Sequence, residues 1–120
     1  MSYEIPDGKL YNLSMIQEIA HGNNDFIKKM MALFVDTMPP AINDLKTHLS
    51  NSNWNDLGAV AHKIKPSIDT MGISILHEDI RLVERYGKEG SNTDEIPALL
   101  GKIETVINKV IDDLKAEMNA

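Results

Sequence analysis

The sequence predicts an all-α chain: an antiparallel four-helix bundle with a short extra N-terminal helix. Apolar residues recur three and four positions apart through most of the 120 residues. Clusters of Gly, Asn, Ser and Pro cut this pattern into a few long segments joined by short connections. There is no alternating apolar and polar run flanked by hairpin turn residues, and no repeat at a fixed period. Several helices with short loops bury their apolar stripes most simply by packing antiparallel to their neighbours. The domain reading is a leader over residues 1–13 and one bundle domain over residues 14–120.

The leader holds Pro6, Gly8 and scattered tyrosines, with no helical period. A short helix is expected next, with Ser14 as its N-cap and Gly22 closing it near His21. From about Asn24 to Asn51 a long pattern follows, carried by Ile27, Met30, Phe34, Met38, Ile42, Leu45 and Leu49. Pro39 and Pro40 interrupt it, so the expectation is a kink or a helix restarted with Thr37 as N-cap. A third helix should open at Asn53 and run to Met71, with Gly72 closing it. A fourth should span roughly Ser74 to Tyr86 and stop at Gly87, before a polar loop over residues 87–94. The last pattern is the clearest, with Ile96, Leu100, Ile103, Ile107, Val110 and Leu114 on one face and Pro97 in the first turn.

Composition narrows the function classes. Hydrophobic residues make up 42% of the chain and charged residues 25%, as in ordinary globular domains. With aromatics at only 5%, the core should be aliphatic. The absence of cysteine removes disulfides, thiolate metal sites and cysteine nucleophiles together. A formal net charge of −6 lacks the basic stripe that phosphate backbones require, so no nucleic-acid partner is expected. The first residues show neither the charged flank nor the apolar run of a signal peptide, and no apolar run approaches the ~20 residues of a membrane span. The expectation is a cytoplasmic protein with no membrane association.

One residue resists a packing explanation. On a wheel turning about 100° per residue, Trp54, Leu57, Val60, Ala61, Ile64, Ile68 and Met71 cluster within about 60° of one direction. His62 falls about 140° from that direction, facing solvent. Its neighbours on the outer surface are Gly58 and Ala59 one turn before, Lys65 and Pro66 one turn after, and Asp69 beyond. Gly58 costs about 1 kcal/mol against alanine inside a helix, and Pro66 about 3 kcal/mol. Two helix-disfavouring residues bracketing one exposed histidine mark a place where local rules are broken, as they tend to be at functional sites. The plainer alternative is a solvated surface histidine beside a packing kink. His21 and His48 sit near helix ends, where a cation suits the dipole, and His77 looks like ordinary surface beside Glu78 and Asp79. No pair of histidines has metal-ligand spacing with a carboxylate in place, so no metal site is expected.

The segment Ala61-His62-Lys63-Ile64-Lys65-Pro66-Ser67-Ile68-Asp69-Thr70-Met71-Gly72 resembles the signature of histidine-containing phosphotransfer (HPt) domains, roughly A-H-x-[LI]-K-G-S-[SA]-x-x-[LIM]-G. His62 matches the phospho-accepting histidine, Lys65 the lysine one turn later, and Ser67 and Gly72 the serine and closing glycine. The likeness extends over roughly Ser14 to Met118. It departs at Pro66, where the family usually has glycine.

The resemblance implies a relay. A receiver-domain phosphoaspartate would be attacked by a ring nitrogen of His62, most simply Nε2, and the phosphate then passed to a second receiver. A neutral imidazole is the nucleophile, and histidine's reference pKa of ~6.5 leaves that form abundant near neutrality. Lys65 would stabilise phosphoryl charge, Ser67 would either hydrogen-bond backbone, the favoured role, or help order the site, and Gly58, Ala59, Pro66 and Asp69 would form the docking surface. Met31, Leu33 and Val35 are surplus apolar residues on the second helix, available either for docking or for packing on two neighbours. The chain would be a covalently modified carrier and not an enzyme, with no cofactor of its own; Mg²⁺ and most catalytic groups would come from the receiver. Partners would be response-regulator receiver domains and a hybrid sensor kinase, with the chain itself a monomer. Two other readings compete. A kinase dimerisation helix pair usually has an acidic residue after the histidine, where this chain has Lys63, and should continue into an ATP-binding domain, whereas this sequence stops at Ala120. A helical adaptor would carry His62 incidentally.

Overall fold

The computed structural model describes residues 3–119; Met1 and Ser2 of the expected leader and Ala120 of the expected bundle lie outside the described residues. The chain forms α1 (Ser14–Ala20), α2 (Asn24–Ser50), α3 (Trp54–Thr70), α4 (His77–Glu89) and α5 (Ile96–Met118), with single 3₁₀ turns at Ser74–Leu76 and Thr93–Glu95. Helices α2 to α5 each pack on the next, and α5 closes the ring against α2. Because the connections between them are only a few residues long, consecutive helices run antiparallel. The 27-residue α2 is about 40 Å long at 1.5 Å per residue, which accounts for the 43 Å long axis. The all-α bundle with a short leading helix is therefore the fold that the periodicity predicts.

The core is aliphatic: Ile16, Leu45, Leu57, Ile68, Ile80, Ile103, Ile107 and Leu114 are among its fully buried side chains. Trp54 and Val60, expected on the core stripe, sit at its margin and are only partly buried. Residues 3–13 form no helix, yet Leu10, Tyr11 and Leu13 are buried in the same core. The Asn12 amide donates to the Met71 carbonyl (2.9 Å), pinning this stretch across the end of α3. Gly72 makes that crossing possible. It turns with φ of +63°, and any side chain there would strike the Asn12 backbone.

Several boundaries differ from expectation for local reasons. Ser14 is the first residue of α1 and not its cap; its amide donates to Asn12 Oδ1 at 2.9 Å. Helix α2 runs unbroken through Pro39 and Pro40, both exposed, although the Val35 and Asp36 carbonyls lose the amides that would normally meet them. Thr37 does not cap a restarted helix: its hydroxyl points back and donates to the Leu33 carbonyl at 2.7 Å. Helix α4 passes Gly87 without stopping and ends at Gly90, which takes the left-handed conformation (φ 62°). Gly87 is there for another reason. A Cβ on it would meet the Trp54 carbonyl oxygen at 2.7 Å and Gly58 backbone atoms at 2.8 and 2.9 Å. Glycine faces glycine where α3 and α4 cross.

Candidate functional site

Helix α3 carries His62 on its solvent side, with 62% of the side chain exposed. Its ring is nevertheless held from behind. Nδ1 lies 2.5 Å from Oε2 of Glu84 on α4. The same carboxylate accepts from Lys65 Nζ at 2.7 Å through Oε1 and from Lys88 Nζ at 3.0 Å through Oε2. Glu84 is thus a hub for one imidazole and two ammonium groups, and only 12% of its side chain reaches solvent. The hydrogen bond from Lys65 lowers its pKa most, those from Lys88 and His62 add to this, and burial opposes them; the result is about 2.

An ionised Glu84 constrains the proton at the ring. A carboxyl group with a pKa near 2 is ionised at neutral pH and can only accept hydrogen bonds. At 2.5 Å the partner nitrogen must therefore donate, so in the neutral ring Nδ1 carries the proton and Nε2 keeps its lone pair. The arrangement fixes one tautomer and aims the basic nitrogen away from α4, much as a carboxylate behind a catalytic histidine does.

The residues around His62 divide in two. Ala59 and Pro66 are exposed beside it, where the wheel puts them. Lys65 stands one turn on but is only 25% exposed, because it turns inward to Glu84. Gly58 is a correction: it is buried and offers no docking surface, since a Cβ there would meet the Lys88 amide nitrogen at 2.9 Å and the Glu84 carbonyl at 3.1 Å. Asp69 is another. Both its oxygens are engaged by Arg81 of α4 (3.2 and 2.6 Å), with His77 Nδ1 at 3.4 Å, so it ties two helices together. Arg81 accordingly holds the Asp69 carboxyl below its usual range. Ser67 is half-buried and, with Leu33, Phe34, Thr37, Lys63 and Pro66, lines an apolar groove between α2 and α3. Of the three surplus apolar residues on α2, Met31 is buried and Val35 partly so, while Leu33 remains 56% exposed at the groove.

Sequence reasoning missed Glu84. A signal was present, because Glu84 lies four residues after Ile80 and three before Gly87, both buried. A carboxylate on the inward face of an amphipathic helix calls for a partner.

Pro66 has a local cost. It lies inside α3 and leaves the His62 carbonyl without the amide that would normally meet it four residues later. Replacing it with alanine restores that donor, so Pro66→Ala is expected to stabilise the fold by about 1–3 kcal/mol, read as a higher melting temperature.

A family model, the Hpt domain, matches residues 29–118. The chain belongs to the Hpt domain family. Hpt domains are phosphotransfer carriers rather than catalysts, and they work with the receiver domains of phosphorelays. Among solved structures the chain resembles the crystal structure of histidine-containing phosphotransfer protein B (HptB) from Pseudomonas aeruginosa PAO1, with a TM-score of 0.83 and 18% identity over 94% of this chain and 97% of that one. At that identity the likeness speaks for the fold. No curated protein matches the sequence. Among the described residues, no helix is long and apolar enough to cross a membrane.

Proposed function

We propose that this Hpt domain carries its phosphoryl group on Nε2 of His62, taking it from a receiver-domain phosphoaspartate and passing it to a second receiver. One observation carries the reading: an exposed imidazole whose inner nitrogen is committed to an ionised glutamate, leaving the outer nitrogen to solvent.

The Nε2 lone pair attacks phosphorus as the bond to the aspartyl oxygen breaks, and the aspartate leaves as carboxylate. The ring keeps its Nδ1 proton, so positive charge develops on the imidazole as it becomes phosphorylated. Glu84 faces that charge and stabilises it. The same proton serves the return step, because a cationic ring leaves phosphorus more readily than a neutral one. One carboxylate therefore assists transfer in both directions, as a carrier between two receivers requires. Lys65 and Lys88 are already gathered beside the ring, and an arriving phosphoryl group competes with Glu84 for their ammonium groups. The receiver supplies Mg²⁺ and the remaining catalytic groups, and the carrier acts as a cytoplasmic monomer fed by a hybrid sensor kinase.

Incubation with a phosphorylated receiver tests this reading. Acid-labile, alkali-stable phosphate should appear on the chain and move to a second receiver on its addition. No uptake across a panel of phosphorylated receivers would leave only the helical adaptor. Docking is assigned to the groove beside α3 and its exposed Leu33. Leu33→Asp should slow uptake from a receiver about tenfold by placing a charge in an apolar contact, while uptake from phosphoramidate, which docks on nothing, stays unchanged.

A further inference from the structure

Two glycines meet where α3 crosses α4, one turn from the reactive histidine. Gly58 precedes His62 by four residues on α3, and Gly87 lies between Glu84 and Lys88 on α4. The contact is backbone on backbone. A Cβ at Gly58 would meet the Lys88 amide nitrogen at 2.9 Å and the Glu84 carbonyl oxygen at 3.1 Å; a Cβ at Gly87 would meet the Trp54 carbonyl oxygen at 2.7 Å and Gly58 N at 2.8 Å. No rotamer change relieves contacts of this kind, so a methyl group at either position has to push the helices apart.

Such a shift is felt at the site. Gly58 and His62 are about 6 Å apart along α3, and Gly87 and Glu84 about 4.5 Å apart along α4, so the crossing and the His62–Glu84 contact sit side by side. That contact is only 2.5 Å long and joins one helix to the other. An increase of about 1 Å in helix separation takes it to the limit of hydrogen bonding. Gly58 also gives Lys88 its path: a Cβ there would lie 3.1 Å from Lys88 Cγ, so the lysine stem runs over the glycine on its way to Glu84.

We propose that the Gly58–Gly87 crossing is a positioning device for the phosphoacceptor. It sets the depth at which Glu84 meets His62 and opens the course of the Lys88 side chain, so that two residues touching no phosphate govern the tautomer and reactivity of the ring. The proposal rests on the reading of His62 as carrier. Its structural half, control of the ring tautomer by the crossing, is measurable with no phosphate present.

The test uses Gly58→Ala and Gly87→Ala in the full chain, with Gly101→Ala as control, because a Cβ at Gly101 meets nothing within 4 Å. Circular dichroism reports the fold, ¹⁵N shifts of the His62 ring report its tautomer, and labelling by phosphoramidate reports reactivity without a docking partner. Both crossing variants should stay helical, lose the preference for the Nδ1–H tautomer, and label about tenfold more slowly, the loss of roughly one charge-assisted hydrogen bond. Gly101→Ala should match the wild type. Adding Gly58→Ala to Glu84→Gln should cost little further, since both changes act on the same ring–carboxylate interaction. The idea fails if folded variants keep the wild-type ring spectrum and labelling rate, or if the two losses add in full. It also fails if both variants unfold, for the crossing would then serve only to hold the bundle together. Absence of label on the wild type would instead sink the carrier reading, leaving the ring spectra to decide on the crossing.

Discussion

His62→Gln is expected to take up no phosphate from any receiver while folding as well as the wild type. The amide of glutamine has a reach similar to that of the imidazole and can still donate to Glu84, so the Lys65–Glu84–Lys88 cluster need not rearrange. What it lacks is a basic lone pair on the outward side, because the amide nitrogen's electrons are delocalised into its carbonyl. No neighbour substitutes for it: His77 of α4 is turned to Asp69 and Arg81, where its Nδ1 lies 3.4 Å from a carboxylate oxygen. Phosphate uptake should therefore fall to background. Stability should change by no more than about 0.5 kcal/mol, since most of the side chain already lies in water. Intact mass after incubation with a phosphorylated receiver gives the first quantity, and thermal melting the second. Wild-type labelling of the variant would move the acceptor elsewhere and remove the basis of the mechanism.

His62 was legible in the sequence because its signal is local. Seven apolar residues define the inner side of α3 by themselves, and the histidine's angle to them needs no knowledge of the neighbouring helix. The angle does not say which helix covers each flank. Gly58, only one turn from His62, was read as open space when α4 in fact lies over it. The same blindness affected Gly87, because helix termination and close helix approach call for the same residue, and only the pairing of α3 with α4 distinguishes them. Asp69 looked like surface until Arg81, twelve residues further on, came into view as its partner. Leu10, Tyr11 and Leu13 form too short an apolar stretch to show a period, so their place in the core was not visible. Glu84 showed in the sequence only as a carboxylate on the inward face of α4. Its importance comes from a contact across 22 residues of sequence, set by a helix crossing that no wheel describes.

Glu84→Gln should slow phosphate uptake by about ten- to a hundredfold, the worth of a hydrogen bond to a charged group, and onward transfer by less, because the ring's positive charge forms in uptake and dissipates in the return step. The amide still offers Nδ1 an oxygen, so the ring stays roughly in place; it no longer offers a negative charge to the cation that forms during transfer. The unequal slowing is the distinctive part, because a carboxylate that only positioned the ring would affect both directions alike. The same substitution leaves Lys65 and Lys88 beside each other with no negative charge between them, so the variant should also be less stable at neutral pH. The pH dependence of that loss carries its origin. The Glu84 carboxyl has a pKa of about 2 in the fold, against about 4.3 for a free glutamate. A folded-state value below the unfolded one means that ionised Glu84 stabilises the fold fully above the unfolded pKa, and that this contribution is lost as pH falls from there through the folded value. The melting-temperature gap between wild type and Glu84→Gln should hence be constant from pH 7 to about 5, narrow below about 4.3, and close near pH 2, since the other carboxylates titrate alike in both proteins. A gap that persists undiminished at the acid end would mean that the charge on Glu84 contributes nothing to holding α4 against α3, and the tautomer assignment at His62 would lose its footing with it.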